Sequence, residues 1–337
     1  MIENHHIQGL DSRWDKIMST PRSNNLLHFI KALLVIFVAI IAFYSPCHAE
    51  ESDILKNLSE DHVSTRPVPK STEYLSPLQH RMKEEEKILG SSYVLAPHRQ
   101  NYFLVINYNS DPNREIYKNT GQDAPKNYEA KFQISFKVRT WKKMFGDNGD
   151  LFIAYTQRSV WQLYDQALSS PFRDTNFEPE VFVKFNTDFK LGGLKNRVIT
   201  IGLNHQSNGE SALLSRSWNR IYAAFVAERG NFALIMKPWY RIPEKEENDD
   251  NPNIEKYLGY GELIAAYNKK GHVFSLMFRN NLRTNENKGA VELGWSYPFT
   301  SKVRGYVQYF NGYGESLIDY NNSVNRIGFG VMLNDWI

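Results

Sequence analysis

The sequence is short of cysteine and of long apolar segments, and both deficits exclude classes of protein. Its 337 residues contain one cysteine, which excludes a disulfide framework and a cysteine-rich zinc site. The mean hydropathy is −0.50, and this excludes a helical membrane bundle, which needs several apolar runs of about 20 residues. The 40 basic and 37 acidic residues leave a formal net charge of only +3, so the composition gives nucleic-acid binding no support.

Aromatic residues are abundant, with 19 Tyr and 20 Phe, and argue against disorder. One strongly apolar run, 32–43, follows several basic residues and precedes Cys47-His-Ala49. This pattern predicts a secretory signal peptide, residues 1–49, that contains the lone cysteine. An uncleaved membrane anchor is the alternative, although the run is short for a span. A secreted, cysteine-free, aromatic-rich chain of this size is typical of bacterial outer-membrane proteins.

Residues 50–100 differ in composition from the rest of the chain and are predicted to form a periplasmic N-terminal segment. A short polar helix is expected around 78–89. The polar character favours a solvated arm, and a partner-binding segment is the alternative.

From residue 101 onward the apolar side chains follow a period of two. Residues 128–138 alternate strictly, with apolar positions on one face and polar positions on the other. A helix would spread the apolar groups around its axis, so the pattern indicates a strand. The sequence predicts twelve strands, near 101–108, 127–139, 151–162, 176–186, 197–207, 217–228, 231–241, 257–268, 272–280, 289–297, 303–310 and 324–334.

The connections between these strands alternate in length, with short turns such as 269–271 and long polar loops such as 242–256. Short turns on one side and long loops on the other predict an all-β fold, a twelve-stranded antiparallel transmembrane β-barrel over residues 101–337. A soluble β-sandwich is the alternative, but its strands would be shorter. Tryptophans near the strand ends are expected to form interfacial girdles: Trp141, Trp161, Trp239 and Trp295.

Polar residues occur where the strand parity predicts an outward, lipid-facing position. Ile201 and Leu203 define the apolar face of the strand near 197–207, and His205 and Ser207 continue that parity. In the next strand Asn219 is also outward, and an antiparallel hairpin places it beside His205. Polar groups on a lipid-facing surface cost stability and therefore indicate a function.

The three residue types suit nucleophilic hydrolysis of an ester. His205 and Ser207 point the same way along one strand, so the imidazole can serve as general base for the hydroxyl. Asn219 can accept a hydrogen bond from the other ring nitrogen and orient the ring without the desolvation cost of a carboxylate. An interfacial His and Ser at a strand end is the structural alternative, and the residues leave both interpretations open.

Longer motifs surround these residues. The segment His205-Gln-Ser207-Asn-Gly209, followed by 215–222 (SRSWNRIY), resembles the active-site region of the outer membrane phospholipase A family. Residues 155–163 (YTQRSVWQL) and 170–179 (SPFRDTNFEP) are similar to that family as well. The resemblance extends from about residue 97 to Asp335.

The resemblance implies a calcium-dependent phospholipase of the A1/A2 type that is active as a homodimer in the outer membrane. The Gly209 N–H would contribute to the oxyanion hole. The implied Ca²⁺ ligands are the Ser215 hydroxyl, the carbonyl of Glu210 and an oxygen of Ser169 from the partner subunit. The phospholipid substrate would lie in the membrane, so the site is expected to face the outer leaflet.

Two positions depart from the family pattern, and one further residue is expected at the dimer interface. Glu210 replaces a frequent arginine, which a backbone ligand tolerates, and Ala212 replaces an acidic residue that some members carry. Gln157 is implied at the dimer interface, and a residue at the lipid interface is its alternative. A small pore or transport barrel without hydrolase activity is the competing function, and it would need an open lumen.

Overall fold

The computed structural model describes residues 75–91, 95–118, 123–168 and 170–337. The predicted signal peptide and most of the predicted periplasmic segment lie outside these residues. In the described part of the chain, no helix combines the length and the apolar character needed to cross a membrane.

The strand segments are close to those predicted, because the alternation of apolar and polar side chains marks them directly. A two-residue strand, β1 (Ala96–Pro97), precedes the barrel and pairs with β3. The barrel strands are β2 (Asn101–Asn109), β3 (Tyr128–Trp141), β4 (Asp150–Trp161), β5 (Phe172–Leu191), β6 (Leu194–Ser207), β7 (Ser217–Arg229), β8 (Phe232–Ile242), β9 (Gly261–Lys269), β10 (His272–Asn280), β11 (Gly289–Pro298), β12 (Arg304–Tyr313) and β13 (Ser323–Asn334).

Successive barrel strands pair antiparallel, and the sheet closes on itself. Strand β2 pairs with both β3 and β13, and β3 also pairs with β4. The described chain is therefore a closed barrel of twelve strands, as predicted. Two predicted strands have wrong boundaries. Strand β9 begins at Gly261, because Glu255–Leu258 forms a short helix. Strand β5 extends beyond the predicted 176–186 at both ends, from Phe172 to Leu191.

Burial is inverted relative to a soluble protein, and β3 shows this most clearly. Its polar residues Glu129, Lys131 and Ser135 are buried inside the barrel, whereas Ile134 is 50% exposed on the outside. Apolar side chains on the outer wall can be solvated by lipid tails, so their exposure is the expected state of a membrane barrel.

Buried ion pairs fill the outer half of the lumen. Glu129 contacts the guanidinium groups of both Arg173 and Arg326 at 2.6 Å. Glu315 contacts Lys131 at 2.8 Å and Arg326 at 2.6 Å. These inward charges form a network that crosses the outer half of the lumen, where an open pore would need free space.

The N-terminal helix α1 (Pro77–Leu89) lies in the mouth of the barrel on the side of the short turns. Ser76 caps it and accepts from the Gln79 N–H at 3.1 Å. Glu85 contacts the inward lysines Lys137 and Lys184 at 2.9 and 3.1 Å. The expected solvated arm is therefore wrong for this helix, which packs against the lumen and leaves a cavity of about 240 Å³.

The predicted aromatic girdle is correct only in part. Trp141 and Trp295 are exposed on the outer wall, at 59% and 39%. Trp239 is buried in the lumen, where its ring meets that of Trp218 edge to face at 6.1 Å. Trp239 and Arg241 are two residues apart in β8, so both side chains point into the lumen.

The docking of α1 is expected to depend on the charge of Glu85. Burial raises the pKa of Glu85, but Lys137 and Lys184 outweigh that effect and lower it from 4.5 to about 2. The carboxylate therefore contributes its full stabilisation above pH 4.5 and loses it as the pH falls through about 2. Glu85→Gln should weaken docking by about 3 kcal/mol at neutral pH, because both lysines lose their buried partner.

The rate of proteolytic cleavage within α1 measures this docking in the folded protein. Glu84→Gln is the matched control, because Glu84 lies on the exposed side of the same helix and pairs with Lys87. Equal cleavage rates for the two variants would contradict the role of Glu85.

Candidate active site

The hairpin of β6 and β7 brings the predicted site residues together on the outer wall. In its register His205 pairs with Asn219 and Ser207 pairs with Ser217. His205, Ile201 and Leu203 are all exposed on the same face. The outward parity predicted for His205 is therefore present.

The His205 imidazole is held by Asn219. Its Nδ1 lies 2.8 Å from Asn219 Oδ1. An amide oxygen only accepts, so this contact fixes the tautomer in which Nδ1 carries the proton and Nε2 is free to act as a base. Ser207 is half-buried two residues along the same face, and no hydrogen bond joins it to His205 among the described residues. Catalytic hydrogen bonds are often long before substrate binds.

Gly209 follows β6 in a conformation that requires glycine. Its φ is +67°, and a Cβ atom there would lie 3.0 Å from the Phe177 ring. A side chain would be strained on both counts. Gly209 therefore forms a turn two residues after Ser207 that only glycine adopts without strain.

Asn208 fixes the loop between β6 and β7. Its amide is buried, donates to the Leu214 carbonyl at 2.9 Å and accepts from the Arg216 N–H at 2.9 Å. The motif containing Asn208 was recognised in the sequence, but this bracing role was not predicted, because it depends on contacts across the loop.

The loop between β8 and β9 contributes three residues that the sequence did not indicate. Asn251 is buried and accepts from the Ser217 N–H at 2.9 Å. Asp250 accepts from the Ser215 hydroxyl at 2.7 Å. Glu244 accepts from Asn219 Nδ2 at 2.9 Å. Long polar loops have no periodicity that would assign such contacts in advance.

The oxygen donors near Ser215 fit a calcium ion in part. The Ser215 hydroxyl and an Asp250 carboxylate oxygen lie 2.7 Å apart on exposed loops, and calcium prefers such ligands. Glu210 is exposed and its N–H faces Asn208 Oδ1 at 3.4 Å. Ser169 lies outside the described residues. Within those residues no three His, Cys, Asp or Glu side chains cluster as a metal site.

Gln157 belongs to a row of polar side chains on the outer wall. It accepts from the Tyr155 hydroxyl at 3.2 Å and donates to Ser159 Oγ at 3.1 Å. Thr175 on β5 donates to the same Ser159 oxygen at 3.1 Å. These groups satisfy one another on a surface where lipid offers no partners.

The barrel carries a serine and an oriented histidine on its lipid-facing wall. This arrangement is typical of a membrane-embedded hydrolase whose site faces the bilayer. Comparisons with known proteins agree. A family model described as Phospholipase A1 matches residues 78–333. Phospholipase A1 of Klebsiella pneumoniae is 44% identical over 245 residues, which are 72% of this chain and 83% of that protein.

Two solved structures show the same similarity. Outer membrane phospholipase A from Escherichia coli gives a TM-score of 0.68 at 41% identity and covers 75% of this chain and 97% of its own. The Salmonella typhi outer membrane phospholipase, solved as a dimer with bound calcium, gives a TM-score of 0.68 at 41% identity and covers 74% and 97%. The chain belongs to the phospholipase A1 family and is an ester hydrolase of the bacterial outer membrane.

Asn208→Ala is expected to release the loop that carries Gly209 and Ser215, because it removes the hydrogen bonds of the amide to Leu214 and Arg216. Release of fatty acid from phospholipid micelles should fall by at least about tenfold, which corresponds to one hydrogen bond of ordinary strength. Ser211→Ala, an exposed position on the same loop, is the control. Unchanged hydrolysis by Asn208→Ala would show that the loop needs no such brace.

Proposed function

We propose that the chain hydrolyses the acyl esters of phospholipids and lysophospholipids with Ser207 as nucleophile, His205 as base and Asn219 as orienting residue. The observation that carries this proposal is the 2.8 Å contact between His205 Nδ1 and Asn219 Oδ1 on the lipid-facing wall. A polar pair on a lipid-facing wall costs stability, and its presence there therefore indicates a function. The ion pairs across the outer half of the lumen and the helix α1 in its mouth give no support to an open pore.

The reaction follows the geometry of these groups. Ser207 Oγ attacks the ester carbonyl carbon while His205 Nε2 takes its proton. Asn219 Oδ1 accepts from Nδ1–H and stabilises the imidazolium that forms. His205 then returns the proton to the leaving alcohol, which departs as the lysophospholipid. A water molecule, deprotonated by the same imidazole, then attacks the serine ester and releases the fatty acid, and the imidazole returns that proton to Ser207 Oγ.

The negative charge that develops on the carbonyl oxygen needs donors in a site shielded from bulk water. We infer that the Gly209 N–H supplies one, and the left-handed turn that Gly209 forms two residues after Ser207 supports this role. Ser215, the Glu210 carbonyl and Asp250 would hold a calcium ion on the adjoining loops. Bound there, calcium supplies positive charge that stabilises the oxyanion.

A homodimer would complete the calcium site. Ser169 of the partner subunit is the third implied ligand, so calcium binding and association would stabilise each other. The polar row around Gln157 supports a contact on this wall, because side-chain hydrogen bonds in lipid can be exchanged for equivalent bonds across an interface. The Salmonella typhi relative was solved as a dimer with bound calcium.

Ser207→Ala is expected to abolish fatty-acid release, because the nucleophile is removed, while the barrel remains folded. The measurement is titration of fatty acid released from mixed micelles, with heat-dependent electrophoretic mobility as the check on folding. Ser301→Ala, on an exposed turn at the other end of the barrel, is the matched control. Full activity in Ser207→Ala would make the assignment wrong.

Removal of calcium is expected to abolish hydrolysis and to convert the dimer to a monomer, and added calcium should restore both. Activity and sedimentation equilibrium in detergent, measured on the same samples, test the coupling. Ser215→Ala should raise the calcium concentration required by roughly tenfold. Complete hydrolysis in the presence of a chelator would contradict the calcium requirement.

A further inference from the structure

The hydrogen bond between His205 and Asn219 on the outer wall continues to a third side chain. Asn219 pairs in register with Ile242, the last residue of β8, and Glu244 follows two residues later. The Asn219 amide nitrogen donates to Glu244 Oε1 at 2.9 Å. Strands β6 and β7 and the start of the loop after β8 therefore bring an imidazole, an amide and a carboxylate into one row.

We propose that Glu244 is a positioning residue that sets the orientation of the Asn219 amide and, through it, the tautomer of His205. This inference rests on the proposed function of Ser207, His205 and Asn219 and assigns a further residue to it. Glu244 contacts the amide and acts through it.

The orientation of the Asn219 amide depends on which of its neighbours can donate and which can only accept. An ionised carboxylate only accepts hydrogen bonds, whereas an amide has an accepting oxygen and a donating nitrogen. With Glu244 on one side, the amide must turn its nitrogen toward the carboxylate. Its oxygen then faces His205 Nδ1, which must carry the proton.

Without Glu244 both orientations of the amide are accessible. In the reversed orientation the amide nitrogen would donate to Nδ1, and the imidazole proton would move to Nε2. A histidine protonated at Nε2 cannot take a proton from Ser207. An aspartate at position 219 could not adopt this state, because it has no donating nitrogen. With asparagine there, the Glu244 carboxylate excludes it.

The carboxylate is held where this contact needs it. Glu244 is half-buried at the start of the loop between β8 and β9. Farther along that loop, Asn251 accepts from the Ser217 N–H and Asp250 accepts from the Ser215 hydroxyl. The loop is therefore fastened against β7 beyond Asn219, which favours a persistent contact.

Glu244→Ala is expected to lower kcat by roughly tenfold with little change in KM, because substrate binding does not use this contact. Glu244→Gln keeps an accepting oxygen but also offers a donating nitrogen, so it should restore the activity only in part. In an Asn219→Ala background, Glu244→Ala should have no further effect. Glu246→Ala, exposed two residues along, is the control and should match the wild type.

Nitrogen-15 NMR of the labelled His205 ring, identified by its loss in His205→Gln, gives a readout independent of hydrolysis. Wild type should show Nδ1 protonated, and Glu244→Ala should show a mixture of tautomers. The inference would be overturned if Glu244→Ala left kcat or the tautomer of His205 unchanged. It would also be overturned if the effect of Glu244→Ala multiplied with that of Asn219→Ala. If the wild type hydrolysed no phospholipid while Glu244→Ala still changed the tautomer of His205, the proposed function would be wrong and the positioning role would stand.

Discussion

Pairing of every backbone polar group within the bilayer is the constraint on which the rest of this structure depends. Lipid tails offer no hydrogen bonds, so the ladder must close, and it does so where β3 meets both β2 and β4. Closure gives each strand one face toward lipid and one toward the lumen. The second face is where charges such as Glu129 and Arg326 can be buried, since each finds a partner of opposite charge.

The same ladder positions the chemistry. His205 and Asn219 meet because they are opposite in the register of β6 and β7, and both point outward because they share the parity of apolar neighbours. A shift of the hairpin's pairing register by one residue would turn both side chains into the lumen. The rigid wall therefore fixes the direction of the imidazole, whereas the loops after β6 and β8 supply the donors and the carboxylates around it.

Strand parity made the barrel and the His205–Asn219 pair predictable, because both are local consequences of a period of two. Trp239 shows where a weaker rule failed: proximity to a strand end suggested a girdle, although its parity with Lys237 and Arg241 points inward. The contacts of Glu244 and Asp250 were not predictable, since they arise in a loop without periodicity. The packing of α1 in the barrel mouth depends likewise on distant partners.

The place of α1 has a consequence for the order of assembly. Its Glu85 contacts β3 and β5 through Lys137 and Lys184, and its Arg81 donates to the carbonyl of Trp336. The capping Ser76 contacts Glu228 of β7. These partners are far apart in sequence and come together only when the sheet has closed. The helix precedes the whole barrel in the chain, yet its complete set of contacts can form only last. Its docking is therefore a marker of a finished barrel, distinct from insertion of individual hairpins.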